Sequence, residues 1–449
     1  MAGITGARAS RVAGRRALPQ SARMTTPHRP APSADTPATL LDLTRLCSRV
    51  GRGPWTGVDR VEAAYLAHLL DAGGPLWALI RAAPGFVLLD RAGVRALSDR
   101  LRGTVPWGPA DWIARAHLRQ TPARRRVMAD LRRLALGRCM TTRGLARLVA
   151  RHVPARATYF NTGHSNLDAR VFKTLAPCFR AVLVHDVIPL THPQFTRPGV
   201  PEAFARKMQA VGAGADLVIY NSAASRDSAR AVFARGGRVP QDVVAHLGCD
   251  LARPAGMPPE LPAGMPDPSR PYFVTLGTIE PRKNHALLLD LWDSLAARLP
   301  QENMPALVII GGRGWNNRAV FDRLDHGPLR GQHVFELTGL ADGAVASCLQ
   351  NARALLFPSH AEGFGLPVAE ALALGTPVIC NDLIVLRDVF GDSPVYARID
   401  QQYQWEQAII AALATPANQS APRHRYDPPR WSDHFDTVFR AIKKADTIQ

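Results

Sequence analysis

Lysine is scarce in this 449-residue sequence: five of its 55 basic residues are Lys and the other fifty are Arg. The six cysteines form no CxxC pair, and the chain has no DxD triplet, no run of 18 consecutive apolar residues and no internal repeat of 20–50 residues. Each absence excludes a class. Scattered cysteines argue against a zinc ribbon and a small disulfide framework, and fit a reducing cytoplasm. Without a long apolar run there is no candidate membrane-spanning helix. The most hydrophobic stretches, such as Ala306 to Ile310 and Ala181 to Val184, have the length of strands. The first 36 residues lack the apolar core of a secretory signal and read as a disordered basic extension, with Met24 as an alternative start. With 46% apolar and 20% charged residues, the remainder has ordinary globular composition, long enough for two or three domains.

The net charge of +18 is unevenly placed. Residues 1–34 carry six Arg and no acid, and residues 101–156 carry thirteen Arg against Asp111 and Asp130, so these two stretches hold nearly all the excess. From Thr39 onward, short runs rich in Val, Ile and Leu alternate with helical spacing, the mark of parallel sheets covered on both faces. Expected strands are Leu40–Leu46, Thr158–Asn161, Ala181–His185, Leu217–Tyr220 and Val243–His246, then Tyr272–Leu276, Leu307–Ile310, Val334–Leu337, Ala354–Phe357 and Val378–Cys380. Between the two series, Asp250 to Pro271 contains seven prolines and reads as a connection between two α/β halves. After Asn284, Leu287, Leu288, Leu291, Trp292 and Leu295 fall on one helix face, as do Phe435, Val438, Phe439 and Ile442 after Trp431.

Two C-terminal segments carry chemistry. Ala354 to Asp382 reads ALLFPSHAEGFGLPVAEALALGTPVICND: a strand, a loop holding Glu362, Gly363, Phe364 and Gly365, and a helix with Pro367 near its start and Gly375 past its end. Amides at such a helix start, with glycine allowing close approach, suit a diphosphate, and Glu362 and Glu370 can both reach sugar hydroxyls. Tyr272 to His285 reads YFVTLGTIEPRKNH, a strand and a turn at Gly277 followed by Arg282 and Lys283, a planar fork and a compact charge suited to a leaving diphosphate. Three N-terminal segments join them: WTGVDRVE with Gly57, VHDVIPLTHP with His185 and Asp186, and NTGHSN from Asn161 to Asn166, which either lines an acceptor or is a polar loop.

Together these segments resemble the retaining glycosyltransferases of family 4, most strongly over residues 272–382. The resemblance implies an α/β GT-B fold: two Rossmann-like domains with a cleft between them and a C-terminal helix crossing back. Its boundaries would be a basic extension at 1–36, an N-terminal acceptor-side domain at 37–255, a Pro-rich linker at 256–271, a C-terminal nucleotide-sugar-binding domain at 272–428 and a crossover helix at 429–449. It implies Arg282, Lys283, Glu362 and His185 as catalytic residues. Gly57, Gly277, Thr278, Gly363, Phe364, Gly365 and Glu370 would hold the donor, Thr278 standing where many members carry Arg. No metal or other cofactor is expected, since no DxD occurs and the cations with the helix start can meet the leaving charge. The wording of WTGVDRVE and HDVIPLTHP is most similar to bacterial mannosyltransferase-type enzymes of lipopolysaccharide and capsule synthesis, which favours GDP-mannose as donor and a glycan or lipid-linked acceptor.

Two rival readings compete with this one. A basic nucleic-acid-binding protein rests on the Arg-rich 101–156 stretch, which has neither interleaved aromatics nor a recognisable motif, so no nucleic-acid partner is expected. A catalytically silent relative is opposed by the intact Glu362, Glu370, Arg282 and Lys283. Within Arg124 to Val153, apolar residues at helical spacing among nine arginines fit either a peripheral contact with an anionic membrane or a helical hairpin that covers the sheet.

Overall fold

The computed structural model describes residues 37–82, 84–116, 119–249, 264–267, 269–414 and 426–448. The expected 1–36 extension, Met24 and most of the Pro-rich linker lie outside the described residues.

Two twisted sheets form the frame. The first contains β1 (Thr39–Asp42), β2 (Leu76–Arg81), β3 (Phe86–Leu89), β4 (Gly137–Cys139), β5 (Thr158–Asn161), β6 (Phe179–Val184), β7 (Leu217–Tyr220) and β8 (Gln241–Val244), in the order β4-β3-β2-β1-β5-β6-β7-β8. Strand β3 runs antiparallel to both neighbours, and the remaining pairs are parallel. The second contains β9 (Tyr272–Leu276), β10 (Ala306–Ile310), β11 (Val334–Leu337), β12 (Leu355–Phe357), β13 (Val378–Cys380) and β14 (Val395–Tyr396), all parallel, in the order β11-β10-β9-β12-β13-β14. In each sheet the strand order reverses once, beside β1 and β5 in the first and beside β9 and β12 in the second. Ligands of such sheets bind outside the strand ends at that reversal.

The first strand stops earlier than its apolar run suggests. Asp42 accepts the backbone N–H of Thr44 at 3.0 Å, and the chain turns into the short helix Thr44–Arg49. Three strands, β2 to β4, and the edge strand β14 were not expected. Gly137–Cys139 carries no strand signal, and it divides the basic stretch into the helices Pro122–Arg133 and Thr142–His152, two sheet-covering helices with a short strand between them. Their apolar residues Val127, Met128, Leu131, Leu145 and Val149 are buried in the core. The same helices therefore keep only charge, not an apolar face, at their outer surface. Gly375, at φ +78°, ends the helix Leu366–Ala373 as the spacing indicates, with Thr376 N–H donating to Ala371 O at 2.8 Å.

The helix Trp431–Ile448 returns to the first sheet. Phe435 stacks on His68 with ring centroids 3.7 Å apart and meets Tyr65 edge-on at 4.9 Å. The outgoing and returning chains touch: Cys249 N–H donates to Pro429 O at 3.1 Å, and a side chain at Gly248 would collide with Trp431. His434 is buried, its Nδ1–H directed to the carbonyls of Ala245 and His246 while Nε2 accepts the Tyr65 hydroxyl at 2.8 Å. Burial holds its pKa down at about 4. Above pH 6.5 the ring is neutral in folded and unfolded chains alike. As pH falls from 6.5 toward 4, the unfolded chain gains a proton that the folded chain refuses, so stability drops, by about 3 kcal/mol at most for this site. His434→Gln should therefore flatten the pH dependence of the urea midpoint over that window by roughly one proton; a slope equal to that of the wild type would contradict the assignment.

Candidate active site

At the reversal point of the second sheet, the loops after β9 and β12 bring two acids and two cations together. Gly277, at φ +142°, takes a conformation that suits glycine, and a Cβ there would lie 3.3 Å from the Lys283 Cε. Lys283 Nζ reaches Glu362 Oε1 at 2.7 Å and lies 4.4 Å from the centroid of the Phe357 ring at the end of β12. Arg282 donates through Nη1 to Glu362 Oε1 at 2.8 Å and to Ala361 O at 2.7 Å. Its Nη2 and Nε meet Glu280 Oε1 at 2.8 and 3.0 Å. One oxygen of Glu362 thus serves two cations. Burial opposes the charge on Glu362, yet Arg282 and Lys283 together hold its carboxyl below the ordinary range. Burial also lowers Lys283, against the pull of Glu362, and raises Glu280 despite the neighbouring Arg282.

The glycine loop meets the first domain. Gly363 O accepts the hydroxyls of Ser222 at 2.9 Å and Ser225 at 3.0 Å, and a Cβ on Gly363 would lie 2.4 Å from His185 O. Only glycine permits this approach. Phe364 is buried beside Phe390 and His246, and Gly365 caps the Leu366–Ala373 helix. Gly57 is the first residue of the helix Gly57–Asp71, and a Cβ there would lie 3.1 Å from Leu366 Cδ1. The starts of two helices, one from each domain, therefore converge, and both present positive dipole ends. Asp59 secures the first of them, accepting Thr56 N–H at 2.8 Å while pairing with Arg45 and Arg49.

Glu370 lies one turn into its helix and pairs with Arg60 of the first domain, which also approaches Asp342 at 3.4 Å. Glu362 and Glu370 therefore do not share one partner set: the former belongs to the Arg282–Lys283 cluster and the latter to Arg60. Glu370 and Arg60 line a cavity of about 340 Å³ between the domains, with Trp55, Leu366 and Trp431. A second cavity of about 430 Å³ opens beside Arg282, Glu280 and Asp186.

His185 is buried at the end of β6, its Nε2–H donated to Thr162 O at 2.7 Å and its pKa lowered by burial to about 4, so the ring is neutral near pH 7. Its Nε2 is thus committed within the first domain. Asp186 accepts Ile188 N–H at 3.0 Å and has its pKa raised by burial, with Arg282 acting in the opposite sense. Asn161 donates to the Tyr159 hydroxyl at 2.9 Å and Asn166 to Asp42 at 2.7 Å, which makes the NTGHSN loop in part a structural bracket between β1 and β5. Thr278 sits between Gly277 and Ile279, where Ile279 bonds back to Gly312, and its methyl group packs against the β10 loop at Gly314.

Glu280, Arg60, Ser222 and Ser225 were not anticipated. Glu280 lies two residues before Arg282, and Arg60 lies inside WTGVDRVE, but a pairing 310 positions apart leaves no local signal.

The cluster predicts how variants bind a bare nucleoside diphosphate by calorimetry. Lys283→Ala should bind about tenfold more weakly, the scale of a lost charge-assisted hydrogen bond. Glu362→Gln, which releases both cations, should bind at least as tightly as wild type. Weaker binding by Glu362→Gln would mean that the carboxylate itself holds the nucleotide.

Comparison with known proteins follows this geometry. Residues 263–424 match the family described as Glycosyl transferases group 1. A serotype-specific mannosyltransferase, WbdA, of Escherichia coli is 32% identical over 245 residues, covering 51% of this chain and 28% of WbdA. The O-antigen chain mannosyltransferase B of Escherichia coli is 34% identical over 128 residues, 28% of this chain and 32% of the relative. The chain thus spans less than a third of the length of these curated relatives. The sucrose-phosphate synthase of Thermosynechococcus elongatus shares the fold at 15% identity with a TM-score of 0.59, covering 92% of this chain and 100% of its own. Residues 263–424 therefore carry a group 1 glycosyltransferase domain, and the two-sheet frame shares the fold of the sucrose-phosphate synthase structure.

Proposed function

We propose that this chain moves a hexose, with mannose from GDP-mannose as the favoured donor, onto a glycan or lipid-linked acceptor in the building of cell-surface polysaccharide. The observation that carries the reading is the pair of half-buried cations, Arg282 and Lys283, held on Glu362 in the loop that leads into the Leu366–Ala373 helix. The names of the mannosyltransferase relatives support the choice of sugar.

The donor diphosphate would displace Glu362 from the cations, since a diphosphate offers more charge and more acceptor oxygens than one carboxylate. Glu362, released, is then free to accept hydroxyls of the sugar, and Glu370 those of the ribose once Arg60 gives way. As the acceptor oxygen bonds to the anomeric carbon, the bond to the phosphate oxygen breaks and its electron pair leaves with the diphosphate. Arg282, Lys283 and the helix start meet that charge, which requires no metal ion. The leaving phosphate oxygen takes the acceptor proton on the same face, so configuration is retained. Neutral His185 adds no charge of its own.

Among the described residues no helix is long and apolar enough to cross a membrane. Arg126, Arg138, Arg143 and Arg147 are exposed on the first domain, whereas Arg132 pairs with Asp111 and Arg133 with Asp130. A peripheral contact with the anionic inner leaflet would therefore be electrostatic and salt-sensitive.

Purified protein offered a panel of nucleotide sugars should consume GDP-mannose in preference and should do so in excess EDTA. Lys283→Ala should lower turnover by roughly 10²–10³, the scale of one preorganised group on developing charge. Failure to consume any nucleotide sugar would end the transferase reading. Loss of activity to EDTA, with recovery on one divalent ion, would end the metal-free version alone.

A further inference from the structure

The second cavity is built by both domains. From the first come Asp186, Phe195 and Arg197, and from the second Glu280, Arg282 and Trp315. Two loops are fastened together along it: Trp315 Nε1–H donates to Phe195 O at 3.1 Å, and Asn316 Nδ2 approaches Thr196 O at 3.3 Å. Arg197 lies 4.9 Å from the centroid of the Trp315 ring, and Phe195 stacks on His360 at 4.9 Å. At about 430 Å³ the space falls within the usual range for a small-molecule site. Neither Lys283 nor Glu362 lines it, so Arg282 is the side chain that the cavity shares with the charge cluster.

Resting on the transferase reading, we propose that this cleft takes the acceptor, a neutral pyranose whose ring lies against Trp315 and Phe195 and whose hydroxyls are accepted by Asp186 and Glu280. The C–H face of a pyranose is apolar and slightly positive, which suits the electron-rich face of an indole, while its hydroxyl rim needs acceptors. The cleft is lined by both kinds of group. An acidic sugar would meet two carboxyls, while the cations of the cleft are engaged, Arg282 with Glu280 and Glu362 and Arg197 with the Trp315 ring. A bare acyl chain would leave buried carboxyls without partners. Burial raises both carboxyls, with Arg282 acting in the opposite sense, and a carboxyl group keeps acceptor capacity in either protonation state. Since Trp315 belongs to the donor-binding domain, acceptor and donor sites are completed by the same meeting of domains.

The test uses the full chain, the nucleotide sugar that the wild type hydrolyses, and octyl pyranosides of mannose, glucose and galactose beside octyl glucuronide. At least one neutral pyranoside should accept sugar and the glucuronide should not. Trp315→Ala should raise the acceptor KM about tenfold, with donor hydrolysis in the absence of acceptor within about twofold of wild type. Trp315→Phe, which loses the hydrogen bond to Phe195 but keeps a ring, should remain within about threefold for both. An unchanged acceptor KM in Trp315→Ala, a parallel fall in donor hydrolysis, or preference for the glucuronide would overturn the inference while leaving the transferase reading in place. So would donor hydrolysis with no transfer to any neutral pyranoside. Consumption of no nucleotide sugar would remove both.

Discussion

One carboxylate oxygen shared by two cations, in a place largely closed to water, constrains everything around it. In such surroundings, attraction between opposite charges is several times stronger than at the surface, and a charge left alone there is costly. Arg282 and Lys283 follow β9, and Glu362 follows β12, so the cluster can form only if these strands are neighbours. That adjacency is the reversal point of the second sheet. The next residue, Gly363, presses its backbone onto the end of β6, so the charge cluster and the junction of the two domains are one structure.

What the amino-acid order shows and what it hides divide along physical lines. Strands β5, β7, β9, β11 and β13 lie where continuous apolar runs place them, because strands buried on both faces need no polar alternation. The helix start at Leu366 and its stop at Gly375 follow from Pro367 and from a glycine at positive φ. Strand β4 is hidden because Gly-Arg-Cys has no strand preference and is held only by pairing with β3. The Arg60–Glu370 pair and the clasp of Ser222 and Ser225 on Gly363 are equally hidden, being products of domain docking rather than of local spacing. His185 shows the reverse: its motif is plain, whereas its committed bond to Thr162 is visible only in three dimensions.

The free chain is not an empty mould awaiting charge. Glu362 neutralises the cations and Arg60 neutralises Glu370, so on the proposed reading nucleotide binding would be an exchange of partners in which displaced side chains must find new ones. Such exchange would tie affinity to the difference between two paired states, and it would make the carboxylates regulators of access as well as contacts for sugar.

The contact between Cys249 and Pro429 bears on how the halves can move. The second domain is threaded into the first, with the chain leaving and returning at nearly one point. A body joined by a single tether can drift in any direction, but one joined by two adjacent strands is left mainly with a swing about the line through them. A swing about that line would part the halves farthest at the edge remote from Trp431 and least beside it. Substrates would enter from the wide side, while side chains near the pivot keep their neighbours throughout the cycle.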